Sequence, residues 1–424
     1  MKELRDSERS REARRIIGCL RDAGFEAVMA GGCVRDALLG RVPKDFDVAT
    51  DATPASIREI FGHRRTLAFG ESFGVIGVLR PKSVAGGESR ARPKAKIEPT
   101  EVATFRSDGS YSDGRRPDTV RFGDMREDAE RRDFTINGMF YDPLDDVLHD
   151  FVGGCSDIHD KRIRTIGEAD RRFDEDKLRM LRAIRFAATL DFEIASETLH
   201  SISEHAASLS LVSGERIGAE MRRVFVADGV LSALHNFLKT GLFESTLPFL
   251  RRPAVERFAG YWRQLEYRTF ETVAALLAIN HSSPEVFVKE MNRMMKLSSE
   301  EVRRMRAAVE RHSELLVEGA PWSTIQPIVV SRDAEFVLPV AAAVGRTEGR
   351  GLSTLENTAK RLRDSATPVD PAPLLTGDDL RMAGYSPGPN FREWLNEIRA
   401  MQLDEGLHSK DEALEWIENN GFQS

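Results

Sequence analysis

Apolar residues recur at helical spacing from residue 9 to 23, where Ala13, Ile16, Ile17 and Leu20 share one face. The paired glycines Gly31 and Gly32 then lead into a short periodic run that predicts a helix starting near Val34. The alternation of Asp45, Phe46, Asp47 and Val48 has period two, which predicts a strand carrying both carboxylates on one face. Pro54 opens a helix that runs to Phe61. Residues 73–79 and 101–106 read as two further strands, the second placing Glu101, Ala103 and Phe105 on one face. Between them, residues 80–99 are basic, rich in Pro and Gly and without periodicity, so a solvated hairpin insert is expected. Near residue 150 the pattern changes. Residues 173–190 carry a broad apolar stripe of Leu178, Leu181, Ile184, Phe186 and Ala188, which predicts one packed helix, and helical spacing continues to the end. The fold class expected is α+β: a mixed-sheet head at 1–150, then a helical neck at 151–240, body at 241–366 and tail at 367–424, with 367–373 as a linker.

A chain of 424 residues is too long for one core and fits about two to four domains. No apolar run approaches the roughly 18 residues of a membrane span, and the charged N-terminus lacks a signal-peptide core, so no membrane is expected. Cys19, Cys33 and Cys155 form neither a disulfide framework nor a zinc pattern, which points to a reducing cytoplasm. The net charge of −7 argues against a broad nucleic-acid-wrapping surface, but nine Lys or Arg fall between Lys161 and Arg185, enough for a local basic groove. Monomer and homodimer both stay open.

Candidate chemistry concentrates at residues 31–47. Two carboxylates on one strand face repel unless a cation lies between them, and hard oxygen ligands suit Mg²⁺, which commonly joins one or two carboxylates to substrate phosphates. Gly31 and Gly32 let backbone approach a bound anion, and Arg35 is placed to contact it. Glu101 approaches the same point if its strand lies beside that of Asp45 and Asp47, with Glu98 the nearby alternative. In residues 128–139, Arg131 and Arg132 offer fork-shaped donors to phosphate oxygens, and Asp133 can accept from a ribose hydroxyl or order an arginine. Asp176 and Arg179 are three apart on the expected helix, either as a surface ion pair or as a donor and acceptor for the edge of a base. His149 and His159 have no third ligand at suitable spacing and read as local hydrogen-bonding groups.

These stretches together resemble the class II tRNA nucleotidyltransferases (CCA-adding enzymes) and bacterial poly(A) polymerases of the DNA polymerase beta superfamily. The motifs are residues 31–47, RRDFTING at 131–138, DFVGGCSD at 150–157, EDKLR at 175–179 and SGER at 213–216. The resemblance implies a polymerase-beta-like head with Asp45 and Asp47 as ligands of Mg²⁺, and a third carboxylate on a neighbouring strand, for which Glu101 is the candidate. It implies that Arg131, Arg132 and Asp133 contact the incoming nucleotide, the aspartate at the ribose, with Asn137 in the same motif. It implies Asp176 and Arg179 as readers of ATP and CTP that reject GTP and UTP, Glu175 as orienting or capping residue, and Glu215 and Arg216 as a brace of the base-reading helix that does not contact substrate. Arg182 and Arg185 project to the same side, towards a triphosphate or the RNA end. Gly138 stands where the family usually has alanine, and Lys177 where proline is commoner, which leaves the start of the base-reading helix less defined.

The activity so implied is stepwise, template-independent addition of CCA to the tRNA 3′ acceptor end from CTP and ATP, with tRNA and not DNA as partner and the tail gripping it. Poly(A) polymerase, CC-adding and A-adding enzymes share the catalytic residues, and an inactive RNA-binding protein would keep the fold. The loop at 108–116 looks like the family's flexible loop and leans against a CC-only enzyme. Past residue 240 the histidines are His281, His312 and His408, none beside Asp, so no metal-dependent phosphohydrolase domain is expected.

Overall fold

The computed structural model describes residues 4, 7–70, 73–80, 99–109, 119–247, 252–364 and 368–420. The basic insert at 81–98, with Glu98, and most of the 108–116 loop lie outside them. The chain divides into two units, Met1–Ser245 and Thr246–Ser424.

The first unit begins with α1 (Glu8–Asp22), whose predicted apolar positions Ala13, Ile16, Ile17 and Leu20 are all buried. It packs on a sheet formed by β1 (Ala27–Ala30), β2 (Asp47–Thr50), β3 (Thr66–Gly70), β4 (Val75–Val78), β5 (Thr100–Thr104), β8 (Met139–Asp142) and β9 (Val147–Asp150). Their order is β3-β4-β5-β2-β1-β8-β9, and β6 (Arg106–Asp108) with β7 (Val120–Phe122) forms a separate hairpin. β2 and β5 are parallel, with Val48 opposite Val102, while β1 runs antiparallel to both β2 and β8. The period of two splits each strand between two cores. Met29, Val48, Val102 and Tyr141 face α1 and α3 (Pro54–Phe61), whereas Val28, Ala30, Ala49 and Phe140 face Phe105 and Ala129. Asp47 and Glu101 belong by parity to this second face.

Three local expectations need correction. The helix after the glycines, α2 (Gly32–Leu38), starts two residues earlier than Val34. β2 starts at Asp47, so Asp45 precedes the strand, pulled to Arg9 at 2.7 Å with its side chain 81% exposed. The run at 173–190 is not one helix: α6 (Ala169–Glu175) ends at an extended Asp176 (φ −149°, ψ 105°), and α7 (Leu178–Leu190) starts anew. The Asp176 carboxylate accepts from the Leu178 N–H at 3.1 Å, a local bond that competes with helical continuation.

Helices α4 (Met125–Glu130), α5 (Gly154–His159), α8 (Ser196–His205), α9 (Gly214–Phe225) and α10 (Val230–Thr240) complete the first unit. The change to helical architecture near residue 150 therefore falls inside one compact unit. The second unit is helical throughout its described residues. Met291 and Met295 are fully buried there, and Trp394 is core against Ile398 and Leu380. No helix among the described residues is long and apolar enough to cross a membrane.

Candidate active site

The site starts at the turn from β1 into α2. Gly31 has φ +69° and ψ −122°, backbone space open in practice to glycine alone, and a Cβ there would stand 2.9 Å from Arg132 Nη1. Gly31→Ala is expected to cost about 1–3 kcal/mol in chemical denaturation and, by displacing Arg132, to weaken binding of a phosphate-bearing ligand, read as KM in any turnover assay. A variant with wild-type stability and KM would show that the close approach is unimportant. One turn into α2, Arg35 donates to Asn137 Oδ1 at 2.7 Å and to Asp36 Oδ1 at 2.8 Å.

Asp47 opens to the cleft at the start of β2, and parallel pairing with β5 sets Glu101 beside it on the same face. Partial shielding from water by the surrounding protein, the nearby charge of Glu101 and, more weakly, that of Asp45 push the Asp47 carboxyl up to about 6, although Arg132 opposes the shift. The neighbouring strand therefore sets Glu101 close enough for its charge to act on Asp47. Among the described residues, no three His, Cys, Asp or Glu side chains converge tightly enough to hold a metal by themselves.

Helix α4 is capped reciprocally by Asp124 and Glu127 and delivers Arg131 and Arg132 at its C-terminus. Both arginines clamp Asp128, at 2.6 and 2.8 Å. Burial raises the Asp128 carboxyl, but Arg132 and Arg131 outweigh it and the net shift is down. Asp133 is largely buried, its side chain 10% exposed at the cleft. Burial raises it, yet Arg182, Asn137 and the Phe134 N–H together bring it down to about 2. Its Oδ2 accepts from Arg182 Nε and Nη2 at 2.8 and 2.6 Å, and its Oδ1 from Phe134 N and Asn137 Nδ2 at 2.8 and 3.0 Å. Of the two roles open to Asp133 from its chemistry, this arrangement favours ordering an arginine, and Arg182 is held by it.

Across the cleft, the break between α6 and α7 changes the expected pairing. Asp176 and Arg179 do not bond through their side chains. Asp176 Oδ2 accepts from Arg216 Nη2 at 2.7 Å, and Arg179, only 9% exposed, donates from Nη1 to Glu175 Oε2 at 2.5 Å and to the Arg172 carbonyl at 3.0 Å. Glu175 thus holds Arg179, and Arg216 holds Asp176 at the break between the two helices while itself lining the cleft. Arg185 turns aside: its Nε donates to Glu220 at 2.6 Å and its guanidinium lies 3.9 Å from the centre of the Phe186 ring.

These groups enclose a cleft of about 580 Å³ lined by Gly31, Gly32, Arg35, Asp47, Arg131, Arg132, Asp133, Asn137, Asp176, Arg179 and Arg182, with Leu178, Phe186 and Arg216 added. Arg185 and Glu101 are not in its lining, and Asp45 stands outside with Arg9. Phe186 was readable only as an apolar core position. Its spacing of seven from Arg179 is the signal that both share a helix face, and the guanidiniums of Arg35 and Arg182 lie over its ring at 5.2 and 5.4 Å.

The chain is similar to known proteins over nearly its whole length. Residues 27–164 match the poly A polymerase head domain, and residues 191–252 match the probable RNA and SrmB-binding site of polymerase A. The CCA-adding enzyme of Lactobacillus johnsonii is 37% identical over 409 residues, 94% of each chain, and that of Bacillus pumilus 36% identical over 416 residues, 95% of each. The crystal structure of the Bacillus stearothermophilus CCA-adding enzyme in complex with CTP superposes with a TM-score of 0.78 at 28% identity, covering 98% of both chains. A Thermotoga maritima CCA-adding enzyme complexed with tRNA shares the fold, with a TM-score of 0.70 at 20% identity. On likeness at more than 30% identity along nearly the whole length, with most of the cleft lined by motif residues, the chain belongs to the CCA-adding enzyme family.

Proposed function

We propose that this protein completes tRNA 3′ ends by adding C, C and A from CTP and ATP, reading the incoming base with its own side chains. The observation that carries the reading is one cleft that brings together Asp47, the arginines Arg35, Arg131 and Arg132, and the pair Asp176 and Arg179. In each cycle the RNA 3′-oxygen attacks the α-phosphorus, the α–β P–O bond breaks and pyrophosphate leaves. Arg35, Arg131, Arg132 and the Gly31–Gly32 backbone bind the triphosphate and neutralise its charge. Asp176 accepts from the exocyclic amine of cytosine or adenine, and Arg179 donates to a ring nitrogen.

The carboxylate set fits Mg²⁺: the donors are hard oxygens, and the repulsion of Asp47 by Glu101 and Asp45 would be relieved by a cation shared with substrate phosphates. Asp45 and Asp47 would hold it, with Glu101 as third carboxylate, once Asp45 leaves Arg9. Bound there, Mg²⁺ supplies charge neutralisation and lowers the pKa of the attacking hydroxyl. The same reading places the protein with tRNA in the cytoplasm.

Incorporation of each nucleotide singly, on tRNA lacking CCA, on tRNA lacking only the final A and on unstructured RNA, tests the proposal. Addition of CC and then A to tRNA alone is expected. Long A tracts on unstructured RNA would instead identify a poly(A) polymerase, product stopping at CC would identify a CC-adding enzyme, and addition only to CC-ended tRNA would identify an A-adding one.

Binding of tRNA is expected to weaken with salt. Most neck arginines are already committed to carboxylates, among them Arg164 to Asp157, Arg172 to Glu175 and Arg185 to Glu220, so few charges remain for the phosphate backbone. Neutralising about two to four phosphates gives a log–log slope between about −2 and −4. A Kd unchanged between roughly 50 and 200 mM salt would remove the neck from the RNA interface.

A further inference from the structure

We infer that Arg172 is a positioning residue for base selection: its side chain aims Arg179 through Glu175 and ties that pair to the segment that carries the phosphate-binding arginines. The inference rests on the reading of Asp176 and Arg179 given above. Arg172 lies outside the motif at 175–179, on α6, and its side chain is only 13% exposed. Its backbone carbonyl accepts from Arg179 Nη1 at 3.0 Å and from the Asp176 N–H at 3.3 Å. Its guanidinium donates from Nη1 to both oxygens of Glu175, at 2.9 and 3.2 Å, and Glu175 is the other acceptor for Arg179 Nη1. Among the described residues, both hydrogen bonds of the Arg179 guanidinium therefore end on Arg172 or on a carboxylate that Arg172 holds.

The remaining donors of Arg172 reach backwards. Nε donates to the Ile166 carbonyl at 2.7 Å, and Nη2 donates to the carbonyl of Glu130, the last residue of α4, immediately before Arg131, Arg132 and Asp133. Ile166 in turn donates its N–H to the Asp133 carbonyl at 3.1 Å. One planar fork thus spans from the phosphate-binding segment to the carboxylate that aims Arg179. The fork geometry is what lysine cannot reproduce, since an ammonium has no rigid set of diverging donors. Glu175 would keep Arg179 at 2.5 Å and Arg171 at 3.4 Å without Arg172, so the carboxylate is not orphaned and what is lost is its direction.

The experiment compares kcat/KM for CTP, ATP, UTP and GTP, each singly on tRNA lacking CCA, in wild type, Arg172→Met and Arg172→Lys, with thermal melts alongside. In R172M the preference for CTP over UTP is expected to fall about tenfold or more, equivalent to about 1.4 kcal/mol, with R172K intermediate. A purely structural Arg172 would lower all four nucleotides in proportion, and an undiminished ratio in folded R172M overturns the inference. Should R172M not fold, R172K decides: a wild-type ratio there overturns it equally. A wild-type protein with no preference among the four nucleotides would overturn the base-reading proposal itself, whereas preference retained by both variants removes Arg172 alone.

Discussion

Replacing Asp47 by asparagine is expected to abolish incorporation of both CTP and ATP while leaving tRNA binding largely intact. The carboxylate stands at the cleft floor beside Glu101 and within reach of the charge of Arg132. Charge stabilisation through a carboxylate-held cation is worth several kcal/mol, and about 1.36 kcal/mol is a factor of ten in rate, so the fall should be at least about a thousandfold. D45A should do the same, although Asp45 rests on Arg9 in this structure. Near-normal turnover in either variant would place the chemistry elsewhere.

The same substitution should have the opposite sign on stability. The Asp47 carboxyl is raised from its ordinary 3.8 to about 6, so the folded protein holds a proton there more tightly than the unfolded chain does. Stability from this group is therefore present below about pH 4, falls as pH rises to about 6 and stays lost above it. D47N cannot ionise and removes that slope. Because Asp47 is open to solvent, screening limits the gain to about 1 kcal/mol, or roughly 2–4 °C in Tm for a unit of this size. Melts from pH 5 to 8 in chelator would show it, and a D47N Tm equal to or below wild type at pH 7.5 would refute this argument.

Arg179→Ala is expected to lose the preference for CTP and ATP over UTP and GTP while keeping the fold. Cytosine and adenine present an amine and a ring nitrogen, which match an aspartate acceptor and an arginine donor, whereas uracil and guanine present oxygen and N–H in those places. One good bidentate contact discriminates by about 1–3 kcal/mol, so selectivity should drop between several-fold and about a hundredfold. The fold survives the change because Glu175 keeps Arg172 at 2.9 Å. Single-nucleotide kcat/KM on tRNA lacking CCA measures the ratio. Equal discrimination in wild type and R179A would falsify base reading and leave the residue a structural partner of Glu175.

Local spacing in the sequence determined a great deal. The stripe in α1, the helix opened by Pro54, the buried alternation of β2 and β5 and most of the cleft lining, from Gly31 to Arg182, follow from periods of 3.6 and 2 together with the motif strings. Periodicity specifies which face a residue takes, because it reflects the geometry of one element alone. It does not specify which charge from another element meets it. Asp133 with Arg182 joins positions 49 apart, and Asp176 with Arg216 joins positions 40 apart. Arg216 and Glu175 are the partners that Asp176 and Arg179 take in place of the local ion pair their spacing allowed, with Asp176 outside both helices. The parallel register of β2 on β5, which sets Glu101 beside Asp47, is likewise a property of the assembled sheet. Charges carried into a protein interior must be paired and hydrogen-bonded, and only the tertiary structure decides which partners arrive, including Arg172 between Glu175 and the Ile166 carbonyl.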